Sequence, residues 1–166
     1  MQTNDFKLDL QYATKDKMFN KFYKSIGVKH IQLITDMKTQ KRGIDKVLYF
    51  DRNTVVTVDE KKRRHDYGDM LIEVVSNIER DKAGWIYYTE ARMIMYCIES
   101  TRTIHAIDFR KLQELYFKNK YDWDYDYMIA PARNKNYTTQ NIAVPWWELL
   151  TAIHKTYYYS SPYGAF

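Results

Sequence analysis

Apolar residues near the start of the chain recur at helical spacing. Met18, Phe19, Phe22, Tyr23 and Ile26 form one face, lysines fill the other, and Gly27 is placed to end the element. The pattern predicts a helix over 13–26. The period then shortens towards two, and Ile31, Leu33 and Ile34 predict a strand over 28–35. A polar, basic turn over 37–42 leads to Gly43 and a second strand, 44–50. Asp51-Arg52-Asn53 has hairpin-turn chemistry, and a third strand rich in β-branched residues follows over 54–62. The first third of the chain is therefore expected to be an antiparallel meander packed on an N-terminal helix.

Tyr67-Gly68-Asp69 interrupts the pattern, and 70–75 is again strand-like. Residues 76–84 are polar and predict a loop, and 85–91 a short helix or irregular segment. The continuously apolar run 93–98 predicts a buried strand, paired through 99–102 with a strand over 103–107. Asp108 is placed to cap a helix running to about residue 118, with Leu112, Leu115 and Tyr116 on its apolar face. Residues 119–127 alternate acid with aromatic and read as an exposed loop. Short strands are expected near 127–132 and 138–144, then a last helix over 146–154 with Pro145 in its first turn. The aromatic tail, 155–166, is expected to fray or to pack on a neighbour.

At 166 residues the chain is expected to form one domain. Hydrophobic residues are 45% and charged residues 28%, which excludes a disordered polyelectrolyte, and three prolines with five glycines leave little room for flexible linkers. Cys97 is the only cysteine, so a disulfide within the chain and a cysteine-based zinc cluster are both excluded. The first residues lack the basic-then-apolar order of a signal peptide, and no apolar run is long enough to span a bilayer. A soluble, cytoplasmic protein with no membrane association is expected.

Charge adds a candidate chemistry. The formal net charge is +5, and the basic residues Lys41, Arg42, Lys62, Arg63 and Arg64 bracket a set of acids. Such a run is ordinarily a solvated face. Around an acidic centre it also suits a polyanion held through its phosphates. The acid-x-lysine pattern occurs several times, at Asp5, Asp36, Asp59 and, in an overlapping frame, Glu60, so the triplet alone decides nothing. Position separates the candidates. Asp45 opens one predicted strand and Asp59 closes the next, and the two are equidistant from the turn at Arg52, which sets them side by side in an antiparallel pair. Alternation puts Asp59 and Lys61 on one face and Glu60 on the other; a slip by one residue would exchange them.

Two adjacent carboxylates and a substrate phosphate suffice to hold Mg2+ or Mn2+, which makes a bound water acidic. Lys61 would position or deprotonate that water and stabilise the developing charge. The competing reading is a surface salt-bridge cluster, common and weak. No glycine-rich phosphate loop is present, and the four histidines show no metal-ligand spacing.

The order helix, strand, strand opening at Gly43-Ile44-Asp45 and strand closing at Asp59-Glu60-Lys61 resembles the PD-(D/E)xK nuclease superfamily. The runs Asp66-Tyr67-Gly68-Asp69-Met70-Leu71-Ile72-Glu73, Gly84-Trp85-Ile86 and 137–145 resemble an uncharacterised phage and bacterial branch of it, over residues 10–154. The resemblance implies an α/β (α+β) restriction-endonuclease-like fold, with a central mixed β-sheet containing the antiparallel meander and flanked by helices. It implies metal binding by Asp45 and Asp59, a catalytic Lys61, Mg2+ or Mn2+ as cofactor, and phosphodiester hydrolysis in DNA, in a phage or mobile-element setting. Two departures stand out. Ile44 replaces the usual proline, and Glu60 occupies a middle position that is usually apolar, which keeps open a frame with Glu60 as the metal ligand. Relatives also use an acid on the first helix, for which Asp16 is the candidate beside a plain solvated charge. Glu73, in an apolar strand, is a further auxiliary candidate: it would bind metal through water, orient Lys61, or face solvent at an edge.

Two other readings remain open: a catalytically inactive nucleic-acid-binding module on the same fold, and a structural or interaction subunit. RNA is an alternative to DNA. Aromatic residues around Trp146 and the tyrosine run also suit a homodimer.

Overall fold

Asp51 closes the central hairpin. Its Oδ1 accepts from the backbone N–H of Asn53 at 2.8 Å and of Thr54 at 2.7 Å, which turns the chain and sets the register of the strands on either side. The computed structural model describes residues 17–159. In chain order these form α1 (Lys17–Ser25), β1 (His30–Leu33), α2 (Met37–Gln40), β2 (Lys46–Tyr49), β3 (Val55–Arg63), β4 (Asp69–Asn77), β5 (Lys82–Ala83), α3 (Trp85–Tyr88), β6 (Met93–Ile98), β7 (Thr103–Asp108), α4 (Phe109–Asp126), β8 (Ala132–Arg133), β9 (Thr138–Pro145), a 3₁₀ turn (Trp146–Glu148) and β10 (Ile153–Tyr158).

The architecture is mixed α/β. A six-stranded sheet has the order β1-β2-β3-β6-β7-β10 and a four-stranded antiparallel sheet the order β5-β4-β9-β8. In the larger sheet β3 and β6 run parallel and every other neighbouring pair antiparallel. A parallel pair needs a long crossover, and here β4, β5 and α3 supply it. One face of the large sheet packs on α1, through Phe19, Phe22 and Tyr23 against Leu48, Val58 and Met95. The other face carries Ile94, Tyr96 and Ile107 into a second core with Met70, Ile72, Ile142 and Leu112, from the smaller sheet and α4. No helix among the described residues is long and apolar enough to cross a membrane.

The expected meander is present, with Lys46 opposite Val58 and Leu48 opposite Val56. Gly27 ends α1 at φ +93°, and Asp108 caps α4 by accepting from the Lys111 N–H. Asp36, which shares the acid-x-lysine pattern, serves as the cap of α2: its Oδ1 accepts from the Thr39 N–H at 2.8 Å.

Four expectations are corrected. Residues 119–126 are helix rather than loop. Trp123 continues the buried stripe of Leu112 and Tyr116, and Lys120 pairs with Asp124 one turn on, so the helical period beats the local alternation of acid and ring. The last helix is one 3₁₀ turn, after which the chain enters the sheet as β10, using the free edge of β7. The described part of the aromatic tail is therefore held: Tyr157 packs edge-on against Phe22, with ring centroids 5.1 Å apart. The expected loop over 76–84 is a strand end, a turn at Asp81 with φ 48°, and β5.

The α1 face of the central hairpin holds a buried ion pair. Lys46 is 2% exposed, and its Nζ lies 2.8 and 2.9 Å from the two Glu60 carboxylate oxygens, beside the rings of Phe19 and Tyr23. The Tyr23 hydroxyl donates to the same carboxylate at 2.8 Å. Removing one partner strands the other charge in a dry core. Lys46→Met is expected to destabilise the protein by about 3–5 kcal/mol in urea unfolding, with Lys46→Met/Glu60→Leu recovering a large part of the loss.

Candidate functional site

The site lies on the opposite face of the same hairpin. The β2–β3 ladder ends at the Lys46–Val58 pair; just beyond it the Asp45 N–H donates to the Val58 carbonyl at 2.9 Å, and the Asp45 carboxylate adjoins that of Asp59. Asp45 Oδ2 accepts from the Glu60 N–H at 2.8 Å, which fixes this carboxylate across the strand pair. Asp59 is 2% exposed. Its Oδ1 accepts from Lys61 Nζ at 2.7 Å, while its buried Oδ2 has no hydrogen-bond partner. Alternation along β3 places Asp59 and Lys61 together and turns Glu60 to the Lys46 side.

Burial drives the Asp59 carboxyl up to about 7; Lys61 opposes this shift and the adjoining Asp45 adds to it. Burial is the largest influence on the Lys61 ammonium and works against it, but the charge and hydrogen bond of Asp59, with the charges of Asp45 and Tyr88, together outweigh it and hold the lysine above its ordinary pKa. Lys61 is thus a committed cation, with 29% of its side chain exposed.

The crossover completes the surroundings. The Lys61 ammonium sits 5.5 Å from the centroid of the Trp85 ring on α3. Glu73 of β4 neighbours Lys61. Its carboxyl is raised by burial, against the pull of Lys61 and the Trp85 backbone N–H. Two glycines let the segments approach. A side chain at Gly84 would overlap the Glu73 carbonyl, and one at Gly43, with φ +68°, would meet Thr89 Oγ1 at 2.5 Å. The Arg42 carbonyl accepts from the Glu90 N–H at 2.8 Å, tying the loop before Asp45 to the end of α3.

Comparison of the chain with protein-family models, with curated proteins and with solved structures finds no match.

The residues expected from the sequence divide clearly. Asp45, Asp59 and Lys61 come together, with Glu73 on the lysine's side. Glu60 is engaged by Lys46 and Tyr23 on the reverse face. Asp16 lies outside the described residues. The basic run is split by strand alternation. Arg63 binds Asp69 and stacks on Tyr67, Lys62 reaches Glu99 and the Phe19 ring on the α1 side, and Arg42 pairs with Glu90. Lys41 and Arg64 are exposed. Trp85 and Tyr88 carried no role in the sequence; the one signal for them was Gly84 ahead of an aromatic run.

Among the described residues, no three His, Cys, Asp or Glu side chains form a ready-made metal cage. Two carboxylates are adjacent, one with a buried oxygen that nothing satisfies, and that donor set suits a hard divalent cation completed by water and substrate oxygens. Without a cation, a proton is the alternative charge balance. A raised carboxyl pKa contributes stability that is full below about pH 4 and lost as pH rises through about 7. In EDTA, the wild-type protein is expected to lose up to about 4 kcal/mol across that window relative to Asp59→Asn, as measured by urea unfolding at a series of pH values.

Proposed function

We propose that this chain is a metal-dependent nuclease, hydrolysing phosphodiester bonds of DNA at the Asp45–Asp59–Lys61 cluster. The carrying observation is the unsatisfied, buried Oδ2 of Asp59, in a carboxylate that adjoins the Asp45 carboxylate. The order of α1, the β1–β3 meander and a parallel β6 is compatible with the restriction-endonuclease-like fold that the motif resembles.

Asp45 and Asp59 would hold Mg2+ or Mn2+, which supplies an acidified water and offsets charge on the phosphate. Lys61 remains protonated beside Asp59, so its part is that of a hydrogen donor and positive charge towards a phosphate oxygen rather than of a base. Trp85 supports the ammonium from one side without neutralising it, and Glu73 restrains it from another. The Asp45 carboxylate is oriented by the Glu60 N–H, and the Lys46–Glu60 pair behind it resists separation of the two strands.

A second reading, a salt-bridge cluster with no reaction, is favoured by the direct 2.7 Å contact of Lys61 with Asp59. Plasmid cleavage distinguishes the two. Purified protein with Mn2+ is expected to nick or linearise supercoiled DNA, EDTA to stop it, and Asp59→Asn and Lys61→Ala each to slow it by about a hundredfold or more without lowering the melting temperature substantially. Cleavage that survives both substitutions removes this site from consideration. Intact plasmid under every divalent metal tried selects the inert cluster.

A further inference from the structure

Resting on the nuclease reading, we propose that Tyr88 is a further catalytic residue of the same site, donating its phenolic hydrogen to a non-bridging oxygen of the phosphodiester. Tyr88 ends α3, three residues after the Trp85 ring that lies over Lys61, and immediately before Thr89, which packs on Gly43. Both ends of this short segment are therefore pinned to site elements. The phenol lies within electrostatic reach of Asp59, Lys61 and Glu73.

The neighbouring charged donors Arg42, Arg63, Lys46 and Lys61 are already used. Arg42 pairs with Glu90, Arg63 with Asp69, and Lys46 is closed off behind the sheet with Glu60. Lys61 itself is held by Asp59. The Tyr88 hydroxyl makes no hydrogen bond to the described residues, and the residue is 43% exposed. It is an exposed, unengaged donor beside the cluster, whereas the other unpartnered hydroxyl of this segment, that of Thr89, is buried against Gly43.

The charge balance gives that donor a purpose. The cluster gathers three carboxylates, Asp45, Asp59 and Glu73, around one lysine that Asp59 already holds. A neutral hydroxyl can bind a phosphoryl oxygen there without giving the acids another cation to pair with. Oriented donors of this kind matter most where charge grows during reaction.

The test compares Tyr88→Phe with the wild-type protein and with Lys61→Ala, using supercoiled plasmid DNA and Mn2+. Loss of the hydroxyl is expected to lower kcat by about 10²-fold, leaving KM, Mn2+ affinity and melting temperature close to wild type. A readout independent of cleavage is the 19F resonance of 3-fluorotyrosine-labelled protein, assigned by its absence in Tyr88→Phe. It is expected to shift when thymidine 3′,5′-bisphosphate is added with Ca2+. A Phe variant that cleaves at the wild-type rate while Lys61→Ala is inactive overturns the role of Tyr88 alone, as does an unmoved resonance. A variant that loses Mn2+ affinity or melts early shows a structural role and overturns it too. Wild-type protein that leaves DNA intact removes the parent reading and this inference together.

Discussion

The structure turns on one juxtaposition: two acids, Asp45 and Asp59, whose carboxylates adjoin at the end of an antiparallel hairpin, in a site where one of them is almost fully buried. A buried carboxylate beside a second one is unfavourable, and the raised Asp59 pKa records that cost, mainly of burial, with Asp45 adding to it. The hairpin nevertheless keeps its register because its reverse face carries the opposite arrangement. Lys46 follows Asp45, Glu60 follows Asp59, and the two form a paired, dry ion pair against α1. Strand alternation therefore converts one short stretch of sequence into an electrostatically satisfied back and an unsatisfied front. Repulsion on the front is held in place by attraction on the back.

The second constraint comes from topology. Because β6 runs parallel to β3, the chain must leave the sheet and return, and it does so by building β4, β5 and α3. That excursion carries Glu73, Trp85 and Tyr88 to the acids. Close approach is what makes it work. Gly84 admits the Glu73 backbone, and Gly43 admits Thr89, so the crossover is clamped against the loop that delivers Asp45. The cluster thus draws on three segments separated in sequence, each fixed by backbone contacts rather than by the charges themselves.

Much of this was legible in the sequence, and the reasons are local. The turn at Asp51 sets the register of β2 and β3, so counting outward from Arg52 placed Asp45 against Asp59, and alternation separated Glu60 from Lys61. The cap at Asp108 and the stop at Gly27 are equally local signals. What stayed hidden depends on distant partners. The run after Lys118 alternates acid and ring, and only the burial of Trp123 beneath the second sheet shows that its period is helical. Residues 153–158 become a strand because β7 offers an open edge. The basic run at 61–64 looks continuous as a string, yet its members diverge to two faces and two of them meet acids from elsewhere in the chain, Glu99 and Asp69. Tyr88 could not have been placed from sequence, since its position follows from the crossover.

The most direct test of the central claim, that the paired carboxylates are a cation site, is anomalous diffraction from crystals soaked in Mn2+. The account predicts one strong anomalous peak between the carboxylates of Asp45 and Asp59, with Lys61 beside it and Glu60 still bound to Lys46. A map with no peak there, or with manganese only at surface acids such as Asp122 and Asp126, would contradict it.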